Sequence, residues 1–97
     1  MKEIKIDSCL KDSIPSFIAH IKEHAEKINY LCHKGELEEI KRLAHNIKGA
    51  GGGYGFDEIS EIGAEMEQLA ELKDIEALKK KAQILGSFFD DTLITYI

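Results

Sequence analysis

The chain contains no tryptophan, one proline and two cysteines in 97 residues, and aromatic side chains make up only 7% of it. Two cysteines, Cys9 and Cys32, are too few for a disulfide-dense framework and show no metal-binding spacing. One disulfide between them stays open at this point, although Cys32 falls on an apolar helix face, where a reduced thiol acts as a small hydrophobe. No apolar run approaches the ~20 residues that cross a bilayer, which excludes a spanning helix. The opening Met1-Lys2-Glu3-Ile4-Lys5-Ile6-Asp7 has no apolar stretch resembling a signal peptide, so the expected location is cytoplasmic, with no membrane partner. There is no excess of basic residues: the net charge of -5 and a pI near 5.3 argue against a nucleic-acid partner. Strand-like alternation is also missing. The glycine-rich stretch has neither a preceding strand nor a following Gly-Lys-Ser/Thr, so it fits neither a P-loop nor a dinucleotide fingerprint.

What is present is helical periodicity. Apolar residues make up 43% of the chain, enough for one core, and a single domain over residues 1–97 is expected. The first stripe runs Ile14, Phe17, Ile18, Ile21, Ala25, Ile28, Leu31 and Cys32 and ends at Gly35, with Ser13 as its expected cap and Pro15 tolerated near its start. The second is Leu37, Ile40, Leu43, Ala44, Ile47 and Ala50. The third is Phe56, Ile59, Ile62, Gly63, Met66, Leu69 and Ala70, and the fourth Ile75, Leu78, Ala82, Leu85, Phe89 and Leu93. Short connections near Gly35, Gly53 to Gly55 and Lys73-Asp74 force neighbours to lie antiparallel. The predicted fold is therefore all-α, an antiparallel up-down-up-down four-helix bundle, preceded between Ile4 and Leu10 by either a short lead-in helix or an extended arm. Four one-sided stripes can be buried within one chain, so a monomer is the default.

The segment His45-Asn46-Ile47-Lys48-Gly49-Ala50-Gly51-Gly52-Gly53-Tyr54-Gly55 carries the chemistry. The core stripe uses Leu43, Ala44 and Ile47, so His45 lies about 100° round from Ala44, on an accessible face shared with Lys41, Arg42, Lys48, Gly49 and Gly52. Surrounding cations disfavour a protonated imidazole and leave a ring whose lone pair is a nucleophile. The same cations would stabilise a dianionic phosphoryl group, Lys48 being the best placed. Glycine within a helix costs roughly 0.5–1 kcal/mol relative to alanine, so the cluster needs an offsetting reason. Close packing and a tight turn account for Gly51, Gly53 and Gly55. Gly49 and Gly52 would let another protein's backbone approach His45, and a simple helix-terminating role is the other reading. If the chain reverses near Gly55, Glu67 on the third helix comes level with His45. There it either holds the ring's tautomer through one nitrogen or is one more solvated glutamate beside Glu61, Glu65 and Glu71.

The run Leu43-Ala44-His45-Asn46-Ile47-Lys48-Gly49, with Gly55 and then an apolar helix carrying Glu67, resembles the histidine phosphotransfer (HPt) domain of bacterial two-component phosphorelays, including the related first domain of chemotaxis histidine kinases. The resemblance covers about Ile14 to Tyr96. It implies that His45 is the phosphorylated residue, Lys48 its basic neighbour and Gly49 the position that leaves room beside the imidazole. It also implies that Glu67 holds the histidine. The implied partners are response-regulator receiver domains and a sensor histidine kinase, docking around Lys41, Arg42, Gly49, Gly52 and Tyr54. The implied role is that of a phosphocarrier and not an enzyme, without a cofactor or metal of its own, Mg²⁺ being supplied by the receiver. One departure is the triple glycine Gly51 to Gly53, where many members carry Ser, Ala or Asn, and it leaves the regular length of the second helix open. His20 and His24, four residues apart, lack a clear third metal ligand and read as exposed helical histidines. The alternative from another class is a helical module that only docks receivers; a degenerate domain of that kind is expected to lack His45.

Overall fold

The first apolar stripe becomes helix α1, Ile14–Lys34, and the second becomes α2, Leu37–Gly53. Helices α3, Asp57–Glu71, and α4, Ile75–Gly86, complete the bundle in a computed structural model that describes residues 2–97. Helix α1 stops at Gly35, whose φ of +70° is the left-handed conformation that glycine adopts without a steric penalty. From there the N–H groups of Gly35 and Glu36 return to the carbonyls of Cys32 and Leu31, satisfying the helix end. Ser13 does not act as the expected cap and makes no side-chain cap hydrogen bond. A capping side chain works from a non-helical backbone, and Ser13, the last residue of a 3₁₀ turn over Ser8–Ser13, is already in the helical region. Asp74 does cap α4, its carboxylate accepting from the Ala77 N–H at 3.2 Å. Despite its glycines, α2 stays helical through Gly53.

Helix α2 packs most extensively on α3 and α1 on α4, while α1 with α2 and α3 with α4 close the ring. The core is one continuous cluster. Ile28, Ile40, Ile47, Ile59, Met66, Leu78 and Leu85 are all at 0% exposure within it, each from a predicted stripe. At one end the four phenylalanines come together. Phe17 stacks on Phe56 at 5.1 Å, Phe89 meets both rings edge-on, and Phe88 meets Phe89 in the same way at 5.1 Å.

Both ends of the chain depart from the predicted pattern. Helix α4 does not continue to Leu93. It ends at Gly86, and Ser87 turns its hydroxyl back onto the Gln83 carbonyl at 3.0 Å. A 3₁₀ turn, Phe88–Asp91, and a strand, Thr92–Tyr96, follow. Gly86 weakens the helix where it ends, and the β-branched Thr92, Ile94 and Thr95 favour extended backbone. Leu93, placed by the helical stripe in the core, is 47% exposed. At the other end the arm is extended: Lys2–Ile6 form strand β1, which pairs in parallel with Thr92–Tyr96, now β2, in the register Lys2↔Thr92, Ile4↔Ile94, Ile6↔Tyr96. A lone strand pair is marginal in water. This one is held by Ile6, buried at 1% exposure, and by Ile4, Ile94 and Tyr96, which pack on the core beneath it.

Candidate functional site

The site is built along the seam between α2 and α3. Because the two helices run antiparallel from the turn at Tyr54–Phe56, each step back along α2 is matched by a step forward along α3. Gly51 lies beside Ser60, Lys48 beside Gly63, His45 beside Glu67 and Lys41 beside Glu71. Two glycines permit that closeness. A β-carbon on Gly63 would stand 2.6 Å from the Lys48 nitrogen and 2.9 Å from the Ala44 oxygen, and one on Gly51 would stand 2.6 Å from the Ser60 nitrogen. The seam is pinned by a hydrogen bond from the Ser60 hydroxyl to the Lys48 carbonyl at 2.9 Å. Gly63 and Ser60 were not singled out by the sequence reading as site residues. Their signal is there in retrospect: Gly63 lies one helical turn before Glu67, facing the turn of α2 that carries His45.

His45 projects from this seam with 70% of its side chain exposed, and its Nδ1 faces a Glu67 carboxylate oxygen at 3.4 Å. The other oxygen of Glu67 lies 4.0 Å from the Lys48 ammonium, so one carboxylate stands between the imidazole and the lysine. Glu67 is itself only 25% exposed, set on the flank of α3 and not free in solvent. With Nδ1 turned to Glu67, Nε2 is the ring nitrogen left for a reacting partner.

The cations predicted to surround His45 each meet a carboxylate. Lys41 pairs with Glu71 across the seam, Arg42 with Glu39 on its own helix, and Lys48 lies near Glu67. The Arg42 pair holds the Glu39 carboxyl below its ordinary pKa, chiefly through the hydrogen bond between them, and raises the guanidinium in turn. The positive field expected from the sequence is thus largely offset in the free protein. These groups line an open depression of Glu38, Lys41, Arg42, His45 and Glu67, which continues along the seam into one edged by Lys48, Ala64 and Gln68.

The remaining predicted residues fall into two groups. Gly49 has open space where a β-carbon would be, and a β-carbon on Gly52 would make only an ordinary contact, 3.8 Å from the Ser60 hydroxyl. Neither glycine is required by packing within the chain. Tyr54 is half-buried, its ring stacked on Phe17 at 4.6 Å, so it is first a part of the aromatic end of the core. His20 and His24 stack at 6.2 Å on α1, and burial with the neighbouring His20 lowers the His24 pKa. Among the described residues no group of three or more His, Cys, Asp or Glu side chains comes together to hold a metal ion. Cys32 is buried as expected, whereas Cys9 lies exposed on the 3₁₀ turn, and both are free thiols. No helix of the described residues is long and apolar enough to cross a membrane.

No curated protein and no solved structure matches the chain. Residues 12–93 match the family model of the Hpt domain, which takes in all four helices and the His45 seam, and the chain belongs to the Hpt family, whose members serve phosphotransfer in two-component systems.

Proposed function

We propose that this Hpt domain is a phosphocarrier that accepts a phosphoryl group on His45, from a phospho-aspartyl receiver domain or a sensor histidine kinase, and passes it to a receiver aspartate. The observation that carries this reading is an exposed imidazole whose Nδ1 faces Glu67 at 3.4 Å, leaving Nε2 outward. In the reaction Nε2 attacks the phosphorus of the aspartyl phosphate. The phosphorus–oxygen bond to the aspartate breaks as the phosphorus–nitrogen bond forms, and the carboxylate leaves. The proton on Nδ1 stays on the ring, where the Glu67 carboxylate stabilises the positive charge that develops. Lys48, one turn beyond His45, moves from Glu67 to the phosphoryl oxygens. The second transfer is the same step in reverse on another receiver. Mg²⁺ and the acidic pocket belong to the receiver, and this domain provides a nucleophile, its orientation and a place to dock.

Docking falls on the open side of α2. Gly49 and Gly52 leave the backbone bare beside His45, with Lys41, Arg42 and the exposed edge of Tyr54 at the margins. A partner that brings its own acidic groups competes for Lys41 and Arg42 with the glutamates that now hold them. On this reading the domain works in the cytoplasm, and a single copy is enough for each transfer. The test is intact-mass measurement after incubation with phosphorylated receivers and Mg²⁺, alongside His45→Gln. One acid-labile phosphoryl group on the native chain and none on the variant is the expected result. A small phosphoramidate donor serves as the control that needs no partner. If a folded protein takes no phosphoryl group from that donor, or takes it equally on His45→Gln, His45 is not the acceptor.

A further inference from the structure

The two strands at the end of the bundle differ in how their outer edges are protected. Strand β1 carries Lys2, Glu3 and Lys5, and Lys2 is tied to Glu58 at the start of α3 at 2.6 Å. Charges of this kind are the usual defence of a sheet edge against added strands. Strand β2, Thr-Leu-Ile-Thr-Tyr, has no charge and no proline, is β-branched or aromatic at four of its five positions, and pairs on one side only. Two large apolar side chains on and beside it stand in solvent, Leu93 at 47% and Ile97 at 73% exposure. Between them on the same face, Thr95 has the one buried side-chain polar atom among the described residues without a hydrogen-bond partner. Apart from Thr92 and Leu93, both strands lie outside the residues that match the family model.

We infer that the free edge of β2 pairs with β2 of a second copy of this chain, antiparallel and centred on Thr95, to give a four-stranded sheet across a two-fold axis. The register follows from the side chains. Centring on Thr95 sets Leu93 of one copy opposite Ile97 of the other, twice over, so both exposed apolar residues are covered together. It also brings the two Thr95 side chains face to face, where a χ1 rotation lets the hydroxyls bond each other. Centring on Ile94 would pair Leu93 with Thr95 and leave Ile97 in water. An antiparallel arrangement also keeps the two Asp90-Asp91 pairs at opposite ends. One five-residue strand per copy is a small contact beside the roughly 1,200 Å² of a standard stable complex, so the dimer is weak and forms at high local concentration. Position 45 lies about 12 Å along α2 from Gly53 at the sheet end of the bundle, so the two His45 faces stay open in the dimer.

Sedimentation equilibrium of the whole chain from micromolar to millimolar concentration tests this. The average mass rises toward twice the 10.9 kDa of one chain, whereas Leu93→Lys, a change at an exposed position, keeps its helical circular dichroism and remains a monomer. Independently, Thr95→Cys in a Cys9→Ser background oxidises to a disulfide-linked dimer, because residues paired directly across an antiparallel axis lie within disulfide range. A native chain that stays at the mass of one copy up to millimolar concentration overturns the proposal. So does a dimer that Leu93→Lys leaves intact.

Discussion

The two sides of α2 carry the same residue type for opposite reasons. On the inner side Gly51 faces α3, and Gly63 answers it from α3 itself; in both places a β-carbon would meet backbone at 2.6 Å. On the outer side Gly49 has nothing within 4 Å of where its β-carbon would stand, and Gly52 makes only an ordinary contact. Glycine inside a helix costs stability wherever it sits. On the inner side that cost is offset within the chain by the close approach of two backbones. On the outer side no contact among the described residues offsets it, and on the function proposed above the reason is the partner that meets His45.

The inner side is where substitution does the most damage. Ile47, at 0% exposure between the His45 turn and the core, should lose about 2–5 kcal/mol on change to alanine, read as a shift in the denaturant midpoint with an unchanged slope. Gly63→Ala comes next. Its new methyl meets the Lys48 nitrogen and the Ala44 carbonyl, which are backbone and cannot swing aside, so α3 has to move away at a cost of about 1–3 kcal/mol. That movement has a second reading. Glu67 rides on α3 one turn beyond Gly63, so the variant should also hold His45 less well and take up phosphoryl groups more slowly from a small phosphoramidate donor, while Ile47→Ala, wherever it remains folded, should not. Equal stability of Gly63→Ala and the native chain would mean that the seam is looser than its geometry indicates.

The same division explains what could be read before the fold was known. His45, Lys48 and Glu67 were legible because helical spacing sets the face of each residue and a short turn sets the height of α3 against α2. Gly63 reads only as a member of the third stripe, because a glycine in an apolar stripe looks like a small core residue until the distance across the seam is known. The charge pairs were hidden for a related reason: Lys41 and Arg42 can be placed on the His45 face by counting, but their partners Glu71 and Glu39 are chosen by rotamer and reach. The terminal sheet was the least legible. Its pairing joins the two ends of the chain, which no local pattern records, and Phe89 and Leu93 keep the helical spacing of α4 past the point where the helix stops. Leu93 was therefore assigned to the core when it is exposed.

The outer glycines make the smallest and the most discriminating prediction. Gly49→Ala and Gly52→Ala add a methyl to regular helix without meeting a backbone atom, so each should raise stability by about 0.5–1 kcal/mol, opposite in sign to Gly63→Ala. If the bare backbone exists for a docking partner, a larger side chain should separate fold from function. Gly49→Gln should keep the melting temperature within a few degrees and still accept phosphoryl groups from a small donor, yet slow transfer from a receiver domain. A uniform slowing from both donors would instead place the effect on His45 itself. Unchanged transfer from both would mean that receivers approach from the α3 side, past Ala64 and Gln68, and would leave the open glycines of α2 without a docking role.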